Sequence, residues 1–198
     1  MGMHLAFVAD NNTNSLLTSY SGNGKDWGAS TKVGSESSKR SPAISFASSG
    51  PQGFTLGFVA NNASNQLLVS HSADGVTWNP NTPVQNQSSK AAPALAVFDG
   101  KLWIAFVAND ASNQLLVSQS ADGVTWKPST KVQSQFSKAA PALAVFDGKL
   151  WIAFVANDAS SQLLVSHSAG GKNWSPSIQV KDQASKAAPA LLGLAGAL

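Results

Sequence analysis

Cysteine is absent from the 198 residues, and arginine, tyrosine and glutamate occur once each, as Arg40, Tyr20 and Glu36. Without cysteine there is no disulfide framework, no thiolate metal site and no cysteine nucleophile. Charged residues make up only 12% of the chain. The polar remainder is serine, asparagine, glutamine and threonine, as in β-rich proteins with neutral surfaces and unlike coiled coils or disordered chains. The net charge of +3 rests on lysines spread evenly along the sequence, whereas nucleic-acid binders gather lysine and arginine on one face. No apolar run reaches the ~18 residues of a membrane span. The opening MGMHLAFVAD lacks a basic segment, an apolar core and a small-residue cleavage site. As it stands the chain reads as cytoplasmic, as released without a classical signal, or as a processed form.

What the sequence has is repetition. Phe58, Phe106 and Phe154 are 48 residues apart (106 − 58 and 154 − 106), as are Trp78, Trp126 and Trp174. Phe7 and Trp27 anchor an earlier unit, 51 residues (58 − 7) before the next, with the three extra residues in the Ser48–Gly53 loop. Four units, at about 3–50, 51–100, 101–148 and 149–198, fill a single domain. A period of this size belongs to propellers, solenoids and related arrays.

Each unit reads as four short strands. Pro93–Phe98 and Pro141–Phe146 are followed by Asp99-Gly100 and Asp147-Gly148, a hairpin signal because the tight turn needs positive φ. Leu102–Ala108 is apolar on both faces, as in a strand packed between layers. Gln114–Ser120 is the third strand, and the more polar Trp126–Val132 the outer, fourth one. No stretch holds a helical period. The predicted fold is all-β: a β-propeller of four four-stranded blades, closed by pairing of the N-terminal strand Met3–Ala9 with a final strand in Pro189–Leu198. Closure removes an exposed sheet edge. The alternative is a homo-oligomer whose chains exchange the closing strand. Trp27, Trp78, Trp126 and Trp174 are placed to fill the wedge between blades.

The stretch Ser72-Ala-Asp-Gly-Val-Thr-Trp78, repeated at Ser120–Trp126, resembles the Asp-box turn of sialidase-type propellers, one residue shorter between Asp and Gly. Its aspartate accepts backbone N–H groups and its glycine supplies positive φ. Asn23 and Gly170 stand at the aspartate position in the first and last units. A turn tolerates that drift, whereas a catalytic acid does not.

Enzyme chemistry is poorly provided for. A sialidase-like site needs several arginines, a tyrosine nucleophile assisted by glutamate, and an acid. Arg40, Tyr20 and Glu36 are too few for that. Glycoside hydrolysis needs two carboxyl groups in unlike environments, but Asp110 and Asp158 are repeat equivalents. His4, His71 and His167 form no metal cluster, and Gly22-Asn-Gly24 is a hairpin turn, not a phosphate loop. No enzyme, cofactor or metal is expected.

In a propeller, the loops joining the second to the third strand and the fourth to the first share one face. Here they carry Asn11 and Asn14, Asn62 and Asn65, Asp110 and Asn113, and Asp158 with Ser161. They also carry Ser-Lys in every unit, ending in Lys39, Lys90, Lys138 and Lys186. Amides, hydroxyls and an ammonium without strong net charge suit neutral, hydroxyl-rich ligands. Repetition of a weak site raises avidity for a displayed ligand. Over its whole length the chain is similar to tandem-repeat β-propeller lectins whose blades carry Asp-box-like turns. That resemblance implies multivalent glycan sites at or between blades, often with an aromatic beneath the sugar. Trp103 and Trp151 are the candidates, replaced by His4 and Thr55 in the other units, and their mid-strand position favours packing. The expected partners are glycans, with no nucleic acid and no membrane insertion. A non-catalytic scaffold binding other proteins is the second reading.

Overall fold

Short apolar runs cut by Asp-Gly and Asn-rich turns form fifteen strands in the computed structural model, which describes residues 2–194. They group into four antiparallel sheets, each following the order of the chain. The first holds β1 (Met3–Val8), β2 (Ser15–Ser21) and β3 (Thr31–Ser37). The second holds β4 (Ala43–Ala47), β5 (Gly53–Val59), β6 (Gln66–Ser72) and β7 (Thr82–Ser88). The third holds β8 (Ala94–Phe98), β9 (Lys101–Val107), β10 (Gln114–Ser120) and β11 (Thr130–Phe136). The fourth holds β12 (Ala142–Phe146), β13 (Lys149–Val155), β14 (Gln162–Ser168) and β15 (Ile178–Ala184). The protein is an all-β propeller of four blades. β4 lies beside β8, and β8 beside β12, as the innermost strands.

The hairpins form for the reason the sequence suggests. Asp99 and Gly100 have φ of 51° and 66°, and Asp147 and Gly148 have 50° and 62°, which is the two-residue turn that matches strand twist. Ser89–Ser112 and Ser137–Ser160 are identical letter for letter, and β8–β9 and β12–β13 pair in the same register. The fourth strand departs from expectation. It covers Thr130–Phe136, and Trp126 makes only a single bridge to Ser120. Pro128 between them has no N–H to lend to a ladder. Where the fourth strand meets the third, the register shifts. Gly34, Gln85, Gln133 and Lys181 take positive φ beside that shift.

The core lies between blades. Phe58, Phe106 and Phe154 are wholly buried, one in each of the second, third and fourth blades. Three tryptophans lean on the preceding sheet. Trp126 packs on Leu67, Val69 and Val84, and Trp174 on Leu115, Val117 and Val132. Trp78 leans on Leu16 and Val33. The expected closing strand falls on residues 189–198, of which 195–198 lie outside the described residues. Among the described residues, 189–194 form no strand, Gly193 lies against the Val145 carbonyl of β12, and the first sheet has three strands.

Candidate functional site

The loop face is built on a backbone constraint. Asn14, Asn65, Asn113 and Ser161 have φ of 51°, 51°, 57° and 53°, a left-handed conformation that asparagine tolerates better than most residues. Held there, the side chains of Asn65, Asn113 and Ser161 stand beside the linker of the preceding blade. Lys39 Nζ donates to Asn65 Oδ1 at 2.9 Å and Lys90 Nζ to Asn113 Oδ1 at 2.7 Å. Lys138 Nζ donates to Ser161 Oγ at 2.5 Å and to the Asp158 carbonyl at 2.9 Å. The amides continue the chain across blades, Asn65 to Asn109 Oδ1 at 3.3 Å and Asn113 to Asn157 Oδ1 at 3.1 Å. Three of the four lysines expected in a ligand site are therefore occupied in stitching blades together. Among the described residues, Lys186 and Asn14 have no such counterpart.

The other expected acceptors face their own turns. Asn11 Oδ1 accepts from the Thr13 N–H and hydroxyl, and Asn62 Oδ1 from those of Ser64. Asp110 and Asp158 do the same with Ser112 and Ser160. The Ser112 hydroxyl and then its N–H hold the Asp110 carboxyl below the usual carboxylate range, with Lys90 adding a little. The Ser160 hydroxyl does the same for Asp158. Both carboxylates are exposed, and the turn uses Oδ1 of each.

One junction has the form of a ligand groove. Between the third and fourth blades a cleft of about 270 Å3 is lined by Gln135, Phe136, Asn157, Asp158 and Gln162 among others. Phe136 is 39% exposed. It stands where the other units have Ser37, Ser88 and Ala184. Sequence reasoning missed it, and the only available signal was that break in the repeat. Trp103, by contrast, is buried, with its N–H on the Phe98 carbonyl and its ring against Gly171 of the next blade.

The opposite face is turn chemistry. Asp74 Oδ1 accepts the Val76 and Thr77 N–H groups at 2.8 and 2.7 Å and the Ser72 hydroxyl at 2.9 Å. Asp122 repeats this with Val124, Thr125 and Ser120. The backbone N–H groups come first in holding both carboxyls far below their ordinary range. Asn23 Oδ1 takes the same N–H groups in the first blade, at 2.9 and 2.8 Å. His71 Nε2 lies 2.6 Å from the Gly123 carbonyl of the next blade, a packing role.

The singly occurring residues stay apart. Tyr20 lies at the far end of β2, and Glu36, near the end of β3 on the loop face, accepts from Asn81 at 2.6 Å. Arg40 Nε donates to the Lys90 carbonyl at 2.9 Å.

Solved structures share this architecture. The BP39L lectin from Burkholderia pseudomallei superposes with a TM-score of 0.75 at 18% identity, over 93% of this chain and 54% of its own. An α-L-arabinanase of Penicillium chrysogenum, complexed with arabinobiose, gives 0.63 at 14% identity, over 84% and 58%. The exo-β-1,3-galactanase 1,3Gal43A from Clostridium thermocellum gives 0.63 at 16%, over 89% and 45%. The chain thus spans about half the length of these proteins. Comparison with curated protein sequences finds no match. The profile of the DUF6242 beta propeller domain matches residues 52–190, most of the chain. This protein belongs to the family of the DUF6242 beta propeller domain.

Proposed function

We propose that this protein is a non-catalytic carbohydrate-binding propeller that takes neutral glycans at blade junctions on the loop face. The observation that carries the reading is the groove at the third junction. It offers an exposed phenyl ring beside two glutamines, an asparagine and a carboxylate. A sugar presents an apolar C–H face and an edge of hydroxyls, which a flat ring and paired donors and acceptors match. The superposed lectin, arabinanase and galactanase all have names tied to sugars. Binding without turnover fits the separation of Tyr20, Glu36 and Arg40 and the matching settings of Asp110 and Asp158. The related loops at other junctions make repeated, multivalent engagement the natural extension, with the tandem Asp-box-like turns holding the blades.

A glycan array followed by a hydrolysis assay on the sugars retained tests this directly. Retention without turnover is the expected result. Monovalent calorimetry then places the site: Phe136→Ala is expected to cost about 1 kcal/mol or more, roughly fivefold or greater in Kd, with the fold intact by circular dichroism. Turnover that persists through purification, or an array without signal, overturns the reading.

A further inference from the structure

The three internal blade junctions are not alike at their turn ends. Tyr20, His71 and Gln119 are repeat equivalents there. At the first junction the Tyr20 ring packs on His4, with centroids 4.9 Å apart, and His4 lies against Gly75 of the second blade. At the second, His71 takes the space: its Nδ1 lies 3.0 Å from Thr55 Oγ1 and its Nε2 2.6 Å from the Gly123 carbonyl. At the third, Gln119 brings no ring. It is tied down through its backbone, paired with Trp103 in the sheet and accepting the Lys127 N–H at 2.9 Å. Its amide has no hydrogen-bond partner among the described residues. A cleft of about 360 Å3 opens here between the third and fourth blades, lined by Trp103, Gln119, Lys127, Thr130, Gly171 and Lys172 among others.

The charge changes together with the shape. Asp74 and Asp122 stand in the turns of the second and third blades, and their equivalent in the fourth is Gly170. Lys127 stands where the first two junctions have Gly28 and Asn79, and Lys172 where they have Val76 and Val124. Those two junctions thus carry one carboxylate and no lysine at these positions, and the third carries two lysines and no carboxylate. Other lysines are engaged: Lys101 and Lys149 pair with Asp99 and Asp147 at 3.1 and 3.8 Å, and Lys39, Lys90 and Lys138 stitch the loop face. Among the described residues, neither Lys127 Nζ nor Lys172 Nζ has an ion-pair or hydrogen-bond partner. Packing does not call for them, because asparagine and valine build the same junction one blade earlier. Two ammonium groups beside one cleft repel each other and concentrate a positive potential in it, which an anion relieves.

We propose that this cleft is a second binding site, separate from the Phe136 groove, for a sugar that carries an oxyanion, either a carboxylate or a sulfate ester. The two ammoniums hold the anion by charge-assisted hydrogen bonds. The Gln119 amide and the Thr130 hydroxyl supply donors and acceptors for the neighbouring hydroxyls. The volume falls at the small end of ligand pockets, ~300–1,000 Å3, which suits one ring rather than a chain. Thr130 opens β11 and Phe136 closes it, so one outer strand carries a residue of each site at its two ends. The anion site rests on the cleft and its charges, and the identity of its hydroxylated part as a sugar rests on the carbohydrate reading above.

Titration calorimetry at low salt with glucuronic acid, galactose 6-sulfate and sodium sulfate tests the site. At least one acidic sugar is expected to bind at least tenfold more tightly than inorganic sulfate, and which of the two does so identifies the oxyanion. Its affinity is expected to fall several-fold in 0.5 M sodium chloride, where exposed charges are screened. The double variant Lys127→Asn with Lys172→Val copies the second junction and is expected to lose at least tenfold in affinity with the fold intact by circular dichroism. Gln119→His keeps both lysines but returns a ring to the cleft, and is expected to weaken binding by a similar factor, which charge alone would not do. Failure of both acidic sugars to bind, inorganic sulfate binding as well as they do, or wild-type affinity in either variant overturns the proposal. Neutral glycans retained on the array are expected to bind the double variant and the unmodified chain alike. An array without neutral signal beside intact acidic-sugar binding sinks only the loop-face reading, and the reverse outcome sinks only this one.

Discussion

In the third blade Ile104 and Phe106 are wholly buried. In the first blade the same two positions are Leu5 and Phe7, and here Leu5 is 47% exposed and Phe7 only partly covered. The strands share one apolar pattern, so the difference is not in their own residues. The third blade has a sheet on either side and its own innermost strand. The first has a neighbour on one side and no innermost strand among the described residues. Burial in this fold is thus conferred by the adjacent blade, in the nearest-neighbour manner of repeat proteins. Position in the row sets how much a given side chain is worth.

The comparison is broken most sharply by truncating the equivalent phenylalanines. Phe106→Ala is expected to cost about 3–5 kcal/mol, the usual toll of a large cavity in a packed core, whereas Phe7→Ala should cost clearly less. Urea unfolding at low protein concentration measures both, and equal losses would show that the first blade is as well packed as the third.

A second contrast sets the Asp74 and Asp122 turns against those of Asn23 and Gly170. Both aspartates are held below the ordinary carboxylate range when folded. A depressed folded pKa gives stability that is present above the unfolded value, ~3.9, and is lost as the pH falls below it. Thermal midpoints should therefore drop on acidification below about pH 4. The double variant Asp74→Asn, Asp122→Asn keeps the acceptor, as Asn23 does, and should flatten that slope. An unchanged slope would place the acid sensitivity elsewhere.

The smallest effect is expected from repairing the last turn. Gly170 has open space where a side chain would stand and does not need positive φ. Gly170→Asp should stabilise by about 0.4–1 kcal/mol from reduced freedom of the unfolded chain alone, with more if the carboxylate captures the N–H groups after it. Differential scanning calorimetry is sensitive enough to see it.

The strands and the turns were legible because they depend on local chemistry. Asp99-Gly100 and Asp147-Gly148 close two-residue hairpins between apolar runs, and Phe58, Phe106 and Phe154 mark the core by recurrence alone. The fourth strand was misplaced because Trp126 looks like a strand residue, when it is held by the sheet before it. The loop face was read in part. Asn65 and Asn113 were singled out for their amides, but their left-handed backbone explains them equally well, and their oxygens serve lysines of the preceding blade. Such pairings join residues about half a repeat apart across a blade boundary, and no local pattern reveals them. Phe136 was overlooked because a search for what the units share passes over what one of them alone has.

The identity of Ser89–Ser112 and Ser137–Ser160 has a kinetic consequence. Before any blade is docked, the innermost strand of either copy finds the same partner sequence in two places, Lys101–Val107 and Lys149–Val155. The two-residue hairpin loop favours the nearer by about 2–3 kcal/mol of closure entropy, a term that grows logarithmically with the length of chain enclosed. Side-chain complementarity cannot correct a mispaired hairpin, because every cross-strand pair is the same in both. Only a neighbouring blade distinguishes them, through residues such as Phe136 and Lys127 that lie outside the duplicated stretch. The minority of chains that do mispair are therefore sorted at the blade-docking step, and such errors are erased only by unpairing a complete hairpin.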